Sequence, residues 1–300
     1  MKISLIVPIY GVEAYIGQCA RSLMAQTYQD IEYIFVNDGT KDRSMEVLSD
    51  VLKEYPGKNV RILEKENGGL PQARLSGLQV ATGDYVMHLD SDDWLEPDAV
   101  EKVAACVLES GADLVYYDFW KEYGSRRKLD HERCYTADNK VKYMRRLYKD
   151  GAYGYLWNKC ARRSLYDGVF FPRYNMHEDV VVSTQLIFKA KSLARLSVPL
   201  VHYRRDNPSA STRVSKARRR GQMARNYLDL YEYYRDHLQD SPVAPVLNDL
   251  FLRAAYVGYS LDRPLFEERP YLKEKARHLP FMPCHRVLLI EQFFMKLWLL

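Results

Sequence analysis

Tyr85-Val86-Met87-His88-Leu89 is a short apolar run, and Asp90-Ser91-Asp92-Asp93 closes it ahead of Trp94-Leu95-Glu96-Pro97, where a new helix can start. An apolar run of this length bounded by turn residues reads as a buried strand. Carboxylates crowded at the carboxyl end of a strand repel one another, so a divalent cation or a hydroxyl-rich ligand between them is favourable. In an open α/β sheet that end is also where ligands bind. An isolated Asp-x-Asp is as readily a polar turn that caps the next helix. The neighbouring segments separate the two readings.

Upstream, Ile3 to Ile9 reads as a buried strand that turns at Pro8-Ile9-Tyr10-Gly11. Between Glu13 and Thr27 the apolar positions Tyr15, Ile16, Cys19, Leu23 and Met24 recur at helical spacing. Ile31 to Val36 predicts a second strand leaving through Asn37-Asp38-Gly39-Thr40, and Met45, Val47, Leu48, Val51 and Leu52 mark a second helix. Val60 to Leu63 predicts a third strand. Asn67-Gly68-Gly69 is then a permissive loop, and Pro71 is well placed to open a third helix running to about Val80. Downstream of the acidic loop, Pro97 to Leu108 predicts a fourth helix and Leu114 to Trp120 a further strand. Repeated strand-helix units of this size imply an α/β fold, a mostly parallel sheet with helices on both faces. Beyond Thr212 the chain reads as helical, basic and rich in tyrosine.

The chain has 300 residues, enough for one large domain with an appended part, and its 47% hydrophobic and 28% charged residues are an ordinary globular balance. The 24 tyrosines suit a partner that is polar and partly apolar, such as a sugar, or reflect a compositional bias. The net charge is +5, with positive charge concentrated at Lys216-Ala217-Arg218-Arg219-Arg220, a patch suited to anionic headgroups or a solvated helix face. Basic residues are not interleaved with aromatics along one stripe, which argues against a nucleic-acid partner. The five cysteines, Cys19, Cys106, Cys134, Cys160 and Cys284, are scattered with no C-x-x-C pair, so a zinc site and a disulfide framework are not expected and a reducing, cytoplasmic setting is. Pro8 and Gly11 interrupt the first apolar run too early for a secretory leader. No run reaches the roughly 18 to 20 apolar residues of a membrane span. The apolar stretch Val287 to Leu300 fits either a membrane interface or the protein's own core.

Three strand exits carry polar groups: Pro8-Ile9-Tyr10 with Glu13, then Asp38, then Asp90-Ser91-Asp92-Asp93. In a parallel sheet these converge on one edge. Neither G-x-G-x-x-G nor G-x-x-x-x-G-K-[ST] is present, so a bound nucleotide would be held by side chains and a metal instead of a glycine cradle. Asp38 is placed to accept a hydrogen bond from a base N–H, and Arg74 to approach a base or phosphate. Taken singly, Asp38-Gly39 is a turn and Arg74 a surface charge.

The ordered set Ile6-Val7-Pro8-Ile9-Tyr10, Val36-Asn37-Asp38-Gly39-Thr40, Asn67-Gly68-Gly69-Leu70-Pro71-Gln72-Ala73-Arg74 and Leu89-Asp90-Ser91-Asp92-Asp93-Trp94 resembles the family 2 glycosyltransferases of GT-A fold. A weaker likeness continues through Leu156-Trp157-Asn158-Lys159, His177-Glu178-Asp179 and His202-Tyr203-Arg204-Arg205. The chain has Asn37-Asp38 where many relatives carry two aspartates, and Gly11 where asparagine is common. The resemblance implies a Rossmann-like GT-A domain over residues 1–212, with a nucleotide-binding half (1–120) and an acceptor half (121–212), followed by a helical extension over 213–300. It implies that Asp38 contacts a uracil-like base, with Pro8, Tyr10 and Arg74 around the nucleoside and Asp90 near the ribose, while Glu13 and Ser91 complete the donor-binding candidates. Asp92, with Asp93 as a second candidate, would bind Mn²⁺ or Mg²⁺ on the diphosphate of a nucleotide-sugar donor.

A sugar leaving a nucleoside diphosphate develops negative charge on the β-phosphate oxygen, which a cation offsets. The attacking hydroxyl of a saccharide or lipid-linked saccharide acceptor must lose its proton. The resemblance assigns Asp179 as general base with Glu178 as its neighbour. The same two acids also suit a helix amino terminus through the macrodipole. Trp157 reads as an aromatic floor for an acceptor sugar or a buried core residue, His88 as a core residue, and Arg204 to Thr212 as a polar loop that can fold over the diphosphate. One in-line displacement inverts the anomeric carbon, and such an enzyme would serve polysaccharide synthesis at the inner face of the membrane. A sugar nucleotidyltransferase and a non-catalytic nucleotide-sugar or polysaccharide-binding protein are the alternatives.

Overall fold

A computed structural model describes residues 1–148, 153–207 and 215–235, together with Val246, residues 268–272 and Glu274. The chain begins as the periodicity predicts: β1 (Ile3–Ile9), α1 (Ile16–Met24), β2 (Ile31–Asn37), α2 (Ser44–Lys53), β3 (Val60–Glu64), α3 (Leu70–Val80) and β4 (Tyr85–His88). These strands lie in the order β3-β2-β1-β4, and every pairing among them is parallel. The chain therefore walks outward from β1 to β3 and then returns to the other side of β1. That reversal leaves a crevice between the carboxyl ends of β1 and β4. The acidic loop follows β4 and Pro8-Ile9-Tyr10 closes β1, so both stand at the crevice.

The period of two along each strand divides the core. Leu5, Val7, Tyr33, Phe35 and Met87 pack with α1, α2 and α4 (Ala99–Ser110) on one face. Ile6, Ile34, Val36 and Val86 pack on the other with α3 and later helices. Helix α3 lies close because Gly77 has no side chain: a Cβ there would stand 2.5 Å from Cγ2 of Ile6.

The second half is mixed. After β4 the chain makes a two-residue strand β5 (Trp94–Leu95), and the fourth helix, expected from Pro97, begins at Ala99 as α4. β5 exists because β9 (Leu193–Arg204) pairs with it antiparallel, Trp94 opposite His202. β6 (Leu114–Tyr123) runs parallel to β9 and antiparallel to β7 (Arg126–Asp130) and β8 (Lys159–Arg162), and β8 joins the halves by pairing antiparallel with β4. Helices α5 (Lys140–Tyr148), α6 (Glu178–Lys189) and α7 (Lys216–Tyr234) cover the α3 face of the sheet, where Tyr143, Val181, Leu186, Tyr227 and Leu228 share one cluster. Among the described residues no helix is long and apolar enough to cross a membrane. The Val287 to Leu300 stretch, Cys284 and most of the expected extension lie outside the described residues.

Candidate active site

The loop after β4 turns tightly, Asp93 N–H donating to the Asp90 carbonyl at 3.0 Å, and this brings Asp90, Asp92 and Asp93 together with a ligand atom of each within 4.8 Å of the others. Asp93 is 1% exposed; one of its oxygens accepts from Arg204 N–H at 2.7 Å and the other is buried without a partner. Burial, then the charges of Asp92 and Asp90, push its carboxyl well above the usual range. Burial and the Asp90 charge likewise push Asp92 up to about 6, against the pull of the Asn207 carboxamide, which donates to Asp92 Oδ2 at 2.8 Å. Fully ionised, such a cluster carries more negative charge than its protein partners offset, which, beyond burial, is why the Asp92 and Asp93 carboxyls are pushed up. Hard oxygen donors at this spacing suit Mn²⁺ or Mg²⁺, and the unpartnered Asp93 oxygen marks a group that an incoming cation would satisfy.

Ser91 is buried in the same turn. Arg204, at the end of β9, is packed by its guanidinium between the rings of Tyr15 at 5.0 Å and Trp94 at 4.9 Å, and donates to the Asp92 carbonyl and to Gln18. Arg204 and Asn207 both belong to the segment read as a polar loop able to fold over the diphosphate; the structure puts Arg204 in β9. Their particular contacts to Asp92 carry no local signal, because they span more than a hundred residues.

Asp38 leaves β2 at the same edge and is 3% exposed. Its carboxylate accepts from Gly68 N–H and Gly69 N–H, each at 2.9 Å, and from Lys65 Nζ at 2.5 Å. Gly69 permits this with φ 85°, and a Cβ there would meet Asn175 Oδ1 at 2.6 Å. Asp38 thus ties the Asn67-Gly68-Gly69 loop to the end of β2. Asn37 holds Thr40 N–H and Glu64. Pro8 is buried at the end of β1 and Tyr10 beyond it is 54% exposed. Glu13 is not brought into the acidic cluster: its carboxylate accepts Arg43 N–H at 2.9 Å, at the start of α2.

Arg74, expected beside the nucleoside, is 1% exposed in α3. Its guanidinium donates to Asp90 Oδ1 at 2.5 Å and to Glu178 Oε1, bridging the acidic loop and the first turn of α6. Glu178 is itself buried, with Oε2 unpartnered. Asp179, the next residue, is close enough to feel the Asp90 charge. Asp179 is partly buried, and burial raises its carboxyl against the opposing charges of His177 and Arg74. A raised carboxylate is a stronger base near neutral pH.

Trp157 is 2% exposed and belongs to the core. The partly exposed rings of Tyr155, stacked on it at 4.5 Å, and of Tyr203, at 5.0 Å, cover it. Burial, then the charges of Tyr203 and Asp179, raise the Tyr155 phenol. Lys159 lies buried below, donating to the carbonyls of Tyr153 and Tyr155 and to Asn158, its ammonium pulled down to about 8 by burial.

With this geometry in view, residues 4–170 match the model of glycosyl transferase family 2. EpsH of Bacillus subtilis (strain 168) is 32% identical over 80% of this chain and 70% of its own length. Glycosyltransferase GlyA of Streptococcus pneumoniae is 34% identical over 68% of this chain, which spans only 30% of that protein. Among solved structures, Staphylococcus aureus TarS 1-349 in complex with UDP-GlcNAc superposes with a TM-score of 0.73 at 20% identity, covering 100% of this chain and 89% of that one. The mannosyltransferase PcManGT of Pyrobaculum calidifontis, in complex with GDP-Man and Mn²⁺, gives a TM-score of 0.59 at 16% identity, covering 99% and 87%. The chain belongs to glycosyl transferase family 2 and has the GT-A fold of these neighbours; it is a glycosyltransferase. The matched segment stops before His177-Glu178-Asp179.

Proposed function

We propose that this enzyme transfers a sugar from a nucleotide-sugar donor, a UDP-sugar by preference, to a hydroxyl of a saccharide or lipid-linked saccharide acceptor, with inversion, in the synthesis of a cell-surface polysaccharide. The observation that carries the proposal is the Arg74 bridge, which joins the Asp90-Asp92-Asp93 cluster to the helix turn bearing Asp179. The carboxylates we assign to the metal and to the proton are thereby linked through one guanidinium. Two of the solved neighbours contain UDP-GlcNAc or GDP-Man, which supports a nucleotide-sugar donor.

Asp92 and Asp93, with Asp90, would hold Mn²⁺ or Mg²⁺, which supplies positive charge opposite the leaving diphosphate. Asp38 orders the glycine loop at the base end and, with Pro8, Tyr10 and Ser91, forms the nucleoside side. Asp179 accepts the proton of the attacking hydroxyl, and Glu178, fixed by Arg74, keeps that turn in register. Tyr155 and Tyr203 present ring faces to the acceptor sugar over buried Trp157. No covalent nucleophile is required. We divide the chain at residue 212, with α7 beginning the helical part, and place the enzyme in the cytoplasm at the membrane surface. The exposed Lys216, Arg218 and Arg220 at the start of α7 support contact with anionic headgroups.

A panel of nucleotide sugars screened for Mn²⁺-dependent release of nucleoside diphosphate tests this reading. Release from one UDP-sugar, lost on chelation and in Asp92→Asn and Asp179→Asn, is expected. Pyrophosphate release from a nucleoside triphosphate plus a sugar phosphate would identify a nucleotidyltransferase instead. Donor binding with no turnover by any acceptor would identify a binding protein.

A further inference from the structure

Asp179 stands on the first turn of α6, which Arg74 holds from α3 through Glu178 and which the loop before it enters through His177. His177, the residue before it, has φ 58° and ψ 27° and is the non-glycine residue with positive φ among the described residues. A bulky side chain takes that left-handed conformation only where its surroundings hold it. The His177 side chain makes no cap hydrogen bond to the helix. Part of the hold comes from α7. Asn226, fully buried there, accepts from Tyr174 N–H at 3.2 Å and donates to the carbonyls of Tyr174 at 2.7 Å and Met176 at 2.8 Å. The adjacent Tyr227 places its hydroxyl 2.6 Å from Nδ1 of His177. Asn175, between these anchors, accepts from Leu70 N–H at 3.1 Å and so docks the same loop on α3.

A helix that needed only apolar packing would place an apolar side chain at position 226. A buried carboxamide is tolerated because every one of its polar atoms is matched, and here all are matched by the loop that leads into Glu178-Asp179. We propose that Asn226 and Tyr227 are positioning residues for the catalytic base: α7 holds the left-handed turn at His177 and thereby sets where the Asp179 carboxylate stands relative to the acidic cluster. The inference rests on Asp179 being the base. It makes a helix outside the matched family segment part of the catalytic arrangement.

The test uses the full chain with Mn²⁺ and the UDP-sugar that releases UDP fastest, water serving as the acceptor. Asn226→Ala is expected to lower kcat about 10- to 100-fold while the donor KM stays within about twofold. Tyr227→Phe, which removes one oxygen and leaves the packing, is expected to lower kcat by a smaller factor and carries the test if Asn226→Ala does not fold. In an Asp179→Asn background, either change should have almost no further effect, because a displaced base that is already absent costs nothing more. Hydrogen exchange reads the same idea without turnover: the Tyr174 and Val181 amides should lose protection in Asn226→Ala while the β1 and β2 amides keep theirs. Unchanged kcat, an equal loss in both backgrounds, or unchanged protection of Tyr174 would each overturn the proposal. Full turnover by Asp179→Asn would instead remove the base assignment and the proposal with it, whereas loss in Asp179→Asn with retention in both α7 variants defeats the proposal alone.

Discussion

Glu32 and Asp93 are carboxylates buried at opposite ends of the same parallel strands, 5% and 1% exposed, and their surroundings differ in kind. Glu32, near the amino end of β2, accepts from Ser4 Oγ, from Thr82 through both N–H and hydroxyl, and from Gly83 N–H, with Lys2 Nζ at 3.3 Å. Burial by itself would raise its carboxyl, but these donors outweigh it and hold it down at about 2. Asp93, at the carboxyl edge, keeps an oxygen without a partner and is pushed up by burial and by Asp92 and Asp90. One end of the sheet saturates its buried charge and the other concentrates it. The first arrangement favours the fold, whereas the second is costly to hold without an outside partner and is kept where the chemistry needs it.

The comparison can be broken or sharpened by substitution. Asp92→Asn should reduce sugar transfer by about 10²–10³-fold or more, while its melting temperature is unchanged or higher because repulsion within the cluster is relieved. Wild type should also gain thermal stability from Mn²⁺ plus UDP, and the variant should gain little; a melting temperature lowered as far as by a change at Glu32 would erase the distinction. Glu32→Gln should do the reverse, costing about 3 kcal/mol by stranding buried donors, read as a lower denaturation midpoint, with kcat below the melting range unaffected.

The pH dependence of that second effect has a defined sign. Because the folded-state value of Glu32 lies below its ordinary 4.5, its stabilisation is complete above about 4.5 and is lost as pH falls toward 2. Denaturation of wild type and Glu32→Gln should therefore converge through that window, and a constant gap across it would contradict the assignment. The smallest effect belongs to the carboxyl edge: Arg204→Lys keeps the charge but loses the planar stack between Tyr15 and Trp94, and should cost about 1 kcal/mol. Equal stability of the two proteins would show that the stack contributes nothing.

The acidic edge was legible in the sequence because each of Asp38, Asp90, Asp92 and Asp93 directly follows an apolar strand, and position after a strand is a local signal. The saturated end was not. Glu32 is one polar residue inside a strand pattern, and its donors come from Ser4 and from Thr82-Gly83, which only parallel pairing brings alongside. The fourth helix, expected from Pro97, forms from Ala99, but no local pattern announces the two-residue strand at Trp94–Leu95, which pairing with β9 makes. No local signal shows that the folded chain ties the Arg74 guanidinium to Glu178, 104 residues away.

By itself the sequence determined the first four strands and their helices, the edge at which carboxylates collect, and the family to which the chain belongs, because hydrophobic period and residue type after a strand are properties of neighbours. The tertiary structure alone decided that β5, β8 and β9 complete a mixed sheet, that Arg74 bridges Asp90 and Glu178, that Tyr155 and Tyr203 cover Trp157, and that α7 grips the loop before Asp179. Each of those depends on contacts between residues far apart in the chain, whose geometry is set by loop closure and packing and leaves no mark in any short stretch of residues.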